Sequence, residues 1–240
     1  MAKNSFFRFK QFSVDQDKCA MKVCTDACVF GAWADVENAD NILDIGTGTG
    51  LLALMAGQRN AEAKIDSVEL DQNAFSQALE NVAKSPFFNR IDVINSAIQD
   101  FNPGKKYDCI ITNPPFFQSD LLSPRAQKNQ AHHAVSLSFD ELLLSIDRLL
   151  SDQGKCNILL PVDEAQIFMA KALSLGWIMV KKLTLYHDKN KRPFRQLMTF
   201  KRDYLSENQT IDEDLFIYGE DSKVYDPNFK QLLKDFYLIF

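Results

Sequence analysis

Apolar residues along the 240-residue chain cluster into short runs, and the segments between most of them follow a different period. The runs Asn41–Ile45, Lys64–Leu70, Arg90–Asn95, Tyr107–Thr112, Cys156–Pro161, Met179–Tyr186 and Gln196–Lys201 have the length of buried strands. Between them, Leu51–Gln58, Gln72–Lys84, Phe139–Leu150 and Glu164–Leu175 space their apolar residues three and four apart, which predicts amphipathic helices. Phe139–Leu150 is the clearest, with Ser138 placed to cap its start and Glu141 three residues later as in a capping box. Strand alternating with helix predicts an α/β fold with a mostly parallel sheet covered on both faces. His187–Phe194 is too short for a helical crossover, so the last two strands should pair antiparallel. The length suits one sizeable domain, read as residues 41–240 preceded by a cap or hairpin over residues 1–40.

Composition adds boundaries rather than detail. Hydrophobic content of 46% with 25% charged residues is that of an ordinary globular chain. The N-terminal decapeptide lacks a signal-like apolar stretch, and no run approaches the roughly 18 apolar residues of a membrane span, so a cytoplasmic protein is expected. Cys19, Cys24, Cys28, Cys109 and Cys156 form an odd set without C-x-x-C spacing, which points to reduced thiols and no metal framework. Adjacent His132 and His133 lack a partner cluster and read as loop residues. Net charge is −5, yet residues 181–202 carry eight cations against Asp188 alone, while residues 203–221 carry seven acids and no base. A polyanion responds to such a local field more than to the total.

Two segments carry chemistry. Asp44-Ile-Gly-Thr-Gly-Thr-Gly50 joins a short buried strand to a helix, with Gly46, Gly48 and Gly50 removing side chains where a ligand must lie against the backbone. The spacing is not the G-x-G-x-x-G of dinucleotide binding. Asp44 can bind a cationic amino group, and Glu69, ending the next strand, can accept hydrogen bonds from ribose hydroxyls. An ammonium and a ribose without a phosphate lysine describe S-adenosylmethionine; the alternative is a purely structural turn with a solvated glutamate. The second segment is Asn113-Pro114-Pro115-Phe116, where a buried strand ends in two rigid prolines on the same edge of the sheet. Asn113 and the Pro114 carbonyl can each accept an N–H from a planar amine, and Phe116 can stack on its ring. The alternative there is an ordinary Pro-Pro loop.

These residues, with Phe9–Phe12, Asp17–Val23, Thr25-Asp26, Gly31–Ala34, Glu80-Asn81, Ser85-Pro86, Arg90-Ile91 and Phe236-Tyr-Leu, resemble the bacterial tRNA1(Val) adenine-37 N6-methyltransferase family within the class I methyltransferases. The resemblance implies a Rossmann-like, seven-stranded, mostly parallel sheet whose last strand is antiparallel. It implies methyl transfer from S-adenosylmethionine to N6 of the adenine beside the anticodon of a valine tRNA; separately, a monomer is expected. It places Asp26, Asp44, Gly46, Gly48, Gly50, Glu69 and Asn113 at the cofactor and Asn113 to Phe116 at the adenine. Where the family usually has an acid after the third strand, this chain has Ser96-Ala97, whose main chain could meet the cofactor's adenine. Phosphate contacts for the RNA are expected from Arg8 and Lys10 in Phe6–Phe12, and from Lys189, Lys191, Arg192 and Arg195. The bland alternatives are an inward-packed N-terminal strand and a solvated turn. Other functions that suit Asn-Pro-Pro are a protein glutamine methyltransferase and a DNA adenine methyltransferase. A non-catalytic RNA-binding module is the alternative outside enzymes.

Overall fold

The computed structural model describes residues 5–115, 137–202, 210–220 and 223–240. In chain order it comprises β1 (Phe6–Arg8), β2 (Ser13–Asp15), α1 (Thr25–Trp33), β3 (Asn41–Ile45), α2 (Leu51–Arg59), β4 (Lys64–Glu69), α3 (Gln72–Ala83), β5 (Ile91–Asn95) and β6 (Tyr107–Thr112). There follow α4 (Phe139–Leu149), β7 (Leu150–Leu160), α5 (Val162–Ser174), β8 (Trp177–Tyr186), β9 (Arg195–Arg202), β10 (Ile211–Phe216) and α6 (Pro227–Leu233). The main sheet has the order β5-β4-β3-β6-β7-β9-β8-β10. Strand β9 runs antiparallel to both β7 and β8, and every other pairing in this sheet is parallel.

All seven predicted strands are present, and the expected hairpin is β8–β9. The sheet nevertheless has eight strands rather than seven, because β10 adds an edge beside β8. Its sequence, Ile-Asp-Glu-Asp-Leu-Phe, reads as a polar loop because only Leu215 is buried. Charges suit an exposed edge strand, where they discourage pairing with other chains. Helix α1 also escaped the periodicity reading, for the opposite reason. From Asp26 to Trp33 every residue is buried, and a helix enclosed on all sides has no polar face to set a period.

Alternation along the strands sorts the core into two layers. Ile42, Ile111 and Leu159 face α1, α2 and α6, whereas Leu43, Ile110 and Ile158 face α4 and α5. Phe9, Phe12 and Val14 of the N-terminal hairpin join the first layer, so residues 5–40 share a core with the sheet. At α4 the expected capping box is present, Glu141 N–H donating to Ser138 Oγ and Ser138 N–H to the Glu141 carboxylate. The parallel strands bring the ends of β3, β4, β5 and β6 to one edge, and the antiparallel β9 brings its first residue, Arg195, to that same edge.

Candidate functional site at the carboxyl edge of the sheet

The loop after β3 turns on three residues with positive φ, Gly46 (71°), Gly48 (57°) and Gly50 (83°). An L side chain in this region costs about 1–2 kcal/mol. A Cβ at Gly46 or Gly48 would meet nothing within 4 Å, so backbone conformation selects glycine there and the space beside the loop is open. Gly46 N–H and Thr47 N–H both donate to Val68 O, at 2.9 and 3.2 Å, which ties the loop to β4.

Asp44 is fully buried at the base of this loop. Its Oδ2 accepts the Thr47 hydroxyl at 2.5 Å, while Oδ1 has no partner among the described residues. Burial pushes its pKa from 3.8 up to about 7 and nearby Glu69 adds to the rise, against hydrogen bonds from Thr47 and the Ala53 amide. A buried carboxylate with one unused oxygen is a receptor for a cation. Glu69 faces it from the end of β4, accepting Gly48 N–H at 2.8 Å and Asp71 N–H at 2.9 Å.

On the other side of β3, Ile45 is level with Thr112 of β6, whose hydroxyl donates to Ile45 O at 3.0 Å. Asn113 therefore leaves its strand beside the glycine loop. Its Oδ1 is also buried and without a partner among the described residues. Pro114 is buried and Pro115 exposed, so the segment turns from core to surface within two residues. Phe116, His132 and His133 lie outside the described residues. Ser96 and Ala97 follow β5, half-buried; Ser96 N–H donates to Glu69 O at 3.1 Å and its hydroxyl to Ala97 O at 2.9 Å.

Asp26 and Arg195, expected at the cofactor and the RNA respectively, are partners of each other. Arg195 Nε donates to Asp26 Oδ2 at 2.7 Å, joining the start of β9 to the first turn of α1. Lys189 pairs with Glu220 at 3.2 Å on the surface, and Lys191 and Arg192 are exposed beside it in the β8–β9 connection. The other basic stretch lies elsewhere. Arg8 is exposed on β1, and Lys10 Nζ donates to the carbonyls of Phe240 (2.8 Å) and Lys234. Lys10 borders a cleft of about 580 Å³ with Glu37, Gln58 and Arg59, at the end of α2 remote from the glycine loop.

Three contributors carried no sequence-based role. Thr47 holds Asp44. Asn81 donates to Asp15 O and Thr49 O, both at 2.8 Å, and accepts Asp15 N–H at 2.9 Å, pinning the N-terminal hairpin to the glycine loop. Gln77 accepts Lys18 N–H at 2.9 Å. A signal was present: Gln77 and Asn81, four apart, interrupt the buried stripe of Ala74, Ala78 and Val82 on α3 with amides that need partners.

Comparison with known proteins gives consistent results. The family model of the methyltransferase small domain matches residues 27–138. A tRNA1(Val) (adenine(37)-N6)-methyltransferase of Dyadobacter fermentans is 60% identical over 240 residues, covering 100% of both chains. Its namesake from Pedobacter heparinus is 42% identical, covering 98% of each chain. Among solved structures, a "predicted O-methyltransferase" from Agrobacterium tumefaciens aligns with a TM-score of 0.68 at 15% identity, over 88% of this chain and 96% of that one. The glycopeptide N-methyltransferase MtfA complexed with S-adenosyl-L-homocysteine aligns with a TM-score of 0.55 at 11% identity, over 77% and 92%. These structural likenesses establish the Rossmann-like methyltransferase fold.

Proposed function

Since the chain belongs to the tRNA1(Val) (adenine(37)-N6)-methyltransferase family, we propose that it methylates N6 of adenine 37 in tRNA1(Val), using S-adenosylmethionine. The observation that carries this reading is the pair of buried oxygens without a partner among the described residues, Asp44 Oδ1 on β3 and Asn113 Oδ1 just past the end of the neighbouring parallel strand β6. One suits the ammonium of a methyl donor and the other an N–H of the acceptor. Full-length similarity to the named relatives favours this reading over the glutamine, DNA and non-catalytic alternatives.

In this reading Asp44 holds the cofactor's ammonium, Glu69 its ribose, and the amides around Ser96-Ala97 its adenine. Gly46, Gly48 and Gly50 leave room for it, and Asp26 braces the site through Arg195. S-adenosylmethionine, when bound, would supply an electrophilic methyl group on cationic sulfur, the C–S electron pair leaving with the sulfur. The exocyclic amine is a weak nucleophile because its lone pair is delocalised into the ring. Asn113 Oδ1 and the Pro114 carbonyl accept its two N–H bonds and aim the remaining electron density at the methyl carbon. Pro115 and Phe116 shape the adenine's binding face. No base has to act first, because the methylated nitrogen is strongly acidic and gives its proton to water. Lys191 and Arg192 meet RNA phosphates, with Lys189 beside them in its pair with Glu220, and Arg8 and Lys10 offer a second phosphate-binding stretch. Residues 1–40 act as a cap on the domain formed by 41–240. The enzyme works as a cytoplasmic monomer; no described helix is long and apolar enough to cross a membrane.

The test is transfer of labelled methyl groups to unmodified tRNA1(Val) transcripts, with guanine replacing adenine 37 as control. Label in the adenine transcript alone is the expected result, and equal labelling overturns the position. Asn113→Ala should lower turnover by about 10²–10³, the scale for one preorganised polar group, with cofactor affinity unchanged.

A further inference from the structure

The β8–β9 connection contains an aromatic pair that the proposed reaction leaves unused. His187 and Phe194 stack with ring centroids 4.1 Å apart and planes inclined by only 8°. Phe194 is half-buried against the core, whereas His187 is exposed. One face of the imidazole is covered by Phe194, so its exposed area lies on the other face and the rim. The pair is also held in place. Phe194 N–H donates to Leu185 O at 3.0 Å and Tyr218 N–H to His187 O at 2.9 Å, fixing both ends of the loop. Within it, the buried Asp188 accepts Asn190 N–H at 2.8 Å and closes a tight turn.

Its position follows from the register. Thr112 is level with Ile158 on β7, Ile158 with Met198 on β9, and Met198 with Lys182 on β8. Strands β6, β7, β9 and β8 are successive neighbours, so Asn113 and His187 are separated by three strand spacings across the sheet, about 14 Å, and by four residues along it, about 13 Å, roughly 20 Å in all. That is a span of a few nucleotides. Exposed Lys191 and Arg192 lie in the same loop, placing positive charge where a backbone would run.

We propose that His187, backed by Phe194, is a stacking platform for an unpaired base a few nucleotides from the target adenine. This inference rests on the tRNA reading above and deepens it. Unpaired RNA bases are commonly held by stacking on aromatic side chains, and a preset ring loses little freedom on binding.

The experiment measures binding of the full-length protein to an anticodon stem–loop RNA, and methylation of the same RNA. His187→Ala should weaken RNA binding about five- to hundred-fold, the range for loss of one stacking side chain. Cofactor affinity and melting temperature should stay unchanged, and His187→Trp should restore RNA binding. Abasic substitution of each unpaired loop nucleotide locates the partner. At the stacked position the wild type loses affinity and His187→Ala loses no more. RNA affinity of His187→Ala within two-fold of wild type overturns the platform, as do losses that multiply at every abasic position. RNA bound through His187 without methylation of adenine 37 would leave the platform standing and overturn the proposed reaction instead.

Discussion

Along one edge of the sheet, two regions hold their charged groups in different ways. Around β3 and β4 the polar atoms are fixed by partners close in sequence or on the adjoining strand: Thr47 on Asp44, Gly48 on Glu69, Asp71 on Glu69. Among the described residues, three buried side-chain oxygens there lack a partner, Asp44 Oδ1, Ser67 Oγ and Asn113 Oδ1. Around β8 and β9 the cations are engaged by acids from other elements. Arg195 meets Asp26, Lys182 meets Asp212 at 2.8 Å, Lys189 meets Glu220, and Arg202 meets Asp147. Lys181 lies over the Trp33 ring at 4.5 Å. One region has polar capacity in reserve at a dry site, whereas the other spends most of its charge internally. In the proposed function, ligand chemistry belongs to the first and electrostatic adjustment to the second.

The largest expected effect breaks the first region. Asp44→Asn keeps the shape and the Thr47 contact but removes the charge, so S-adenosylmethionine affinity should fall by about 30- to 5,000-fold, the cost of removing one partner of a buried charge pair (~2–5 kcal/mol). Isothermal titration measures it, and unchanged affinity would mean that the ammonium binds elsewhere. Folding should respond with the opposite sign, because the ligand-free protein no longer buries an unpaired carboxylate; its melting temperature at pH 8 should rise.

A second, smaller effect follows from the same group. Below about pH 7 the ligand-free Asp44 is increasingly protonated, and a cationic amine selects the ionised form. Cofactor affinity should therefore be greatest above pH 7 and decline by up to about tenfold per unit below it. Stability runs the other way. The folded pKa lies above the unfolded value of 3.8, so the stabilising contribution is complete below that value and is lost as pH rises through about 7. The melting-temperature gap between Asp44→Asn and wild type should thus narrow as pH falls. A gap independent of pH would assign it to something other than Asp44.

The third effect concerns the second region. Lys191→Ala with Arg192→Ala should reduce the slope of log affinity for tRNA against log salt by about 1.4–1.8, since each phosphate contact contributes roughly 0.7–0.9. Arg195→Ala should act differently, altering the seating of α1 through Asp26 more than the salt slope. An equal slope change in both variants would erase the distinction between exposed and engaged cations.

That distinction also separates what was readable in the sequence from what was not. Asp44, the glycines and Asn113 were readable because their geometry is set within a few residues: a strand, a turn with positive φ, a pair of prolines. The sheet was readable wherever a strand is buried. The excess of cations over residues 181–202 was read as a field for a polyanion, but its largest partner lies far off in sequence: Asp26 is 169 residues from Arg195. No local pattern encodes such a pairing. Lys10 is similar, its ammonium directed to the C-terminal carbonyls 224 and 230 residues away. Thr47, Gln77 and Asn81 went unassigned because an amide or hydroxyl declares its role only when its partner is in place.

The smallest effect tests whether an engaged cation can be recruited. The Lys189–Glu220 pair is 3.2 Å long, with side chains 55% and 84% exposed. Pairs so exposed contribute little to stability, because water solvates both members and holding two long side chains together costs entropy. Glu220→Gln should therefore leave the melting temperature unchanged. It should also remove one negative charge beside Lys191 and Arg192 and release Lys189 to meet a phosphate. The expected gain is about two- to five-fold in tRNA affinity at low salt, vanishing as added salt screens the field. Restoring the charge with Glu220→Asp should return affinity towards wild type. A gain that persisted at high salt would point to a change in loop conformation rather than in charge, and no gain at all would place the RNA backbone away from Lys189, leaving Lys191 and Arg192 as the phosphate contacts of this loop.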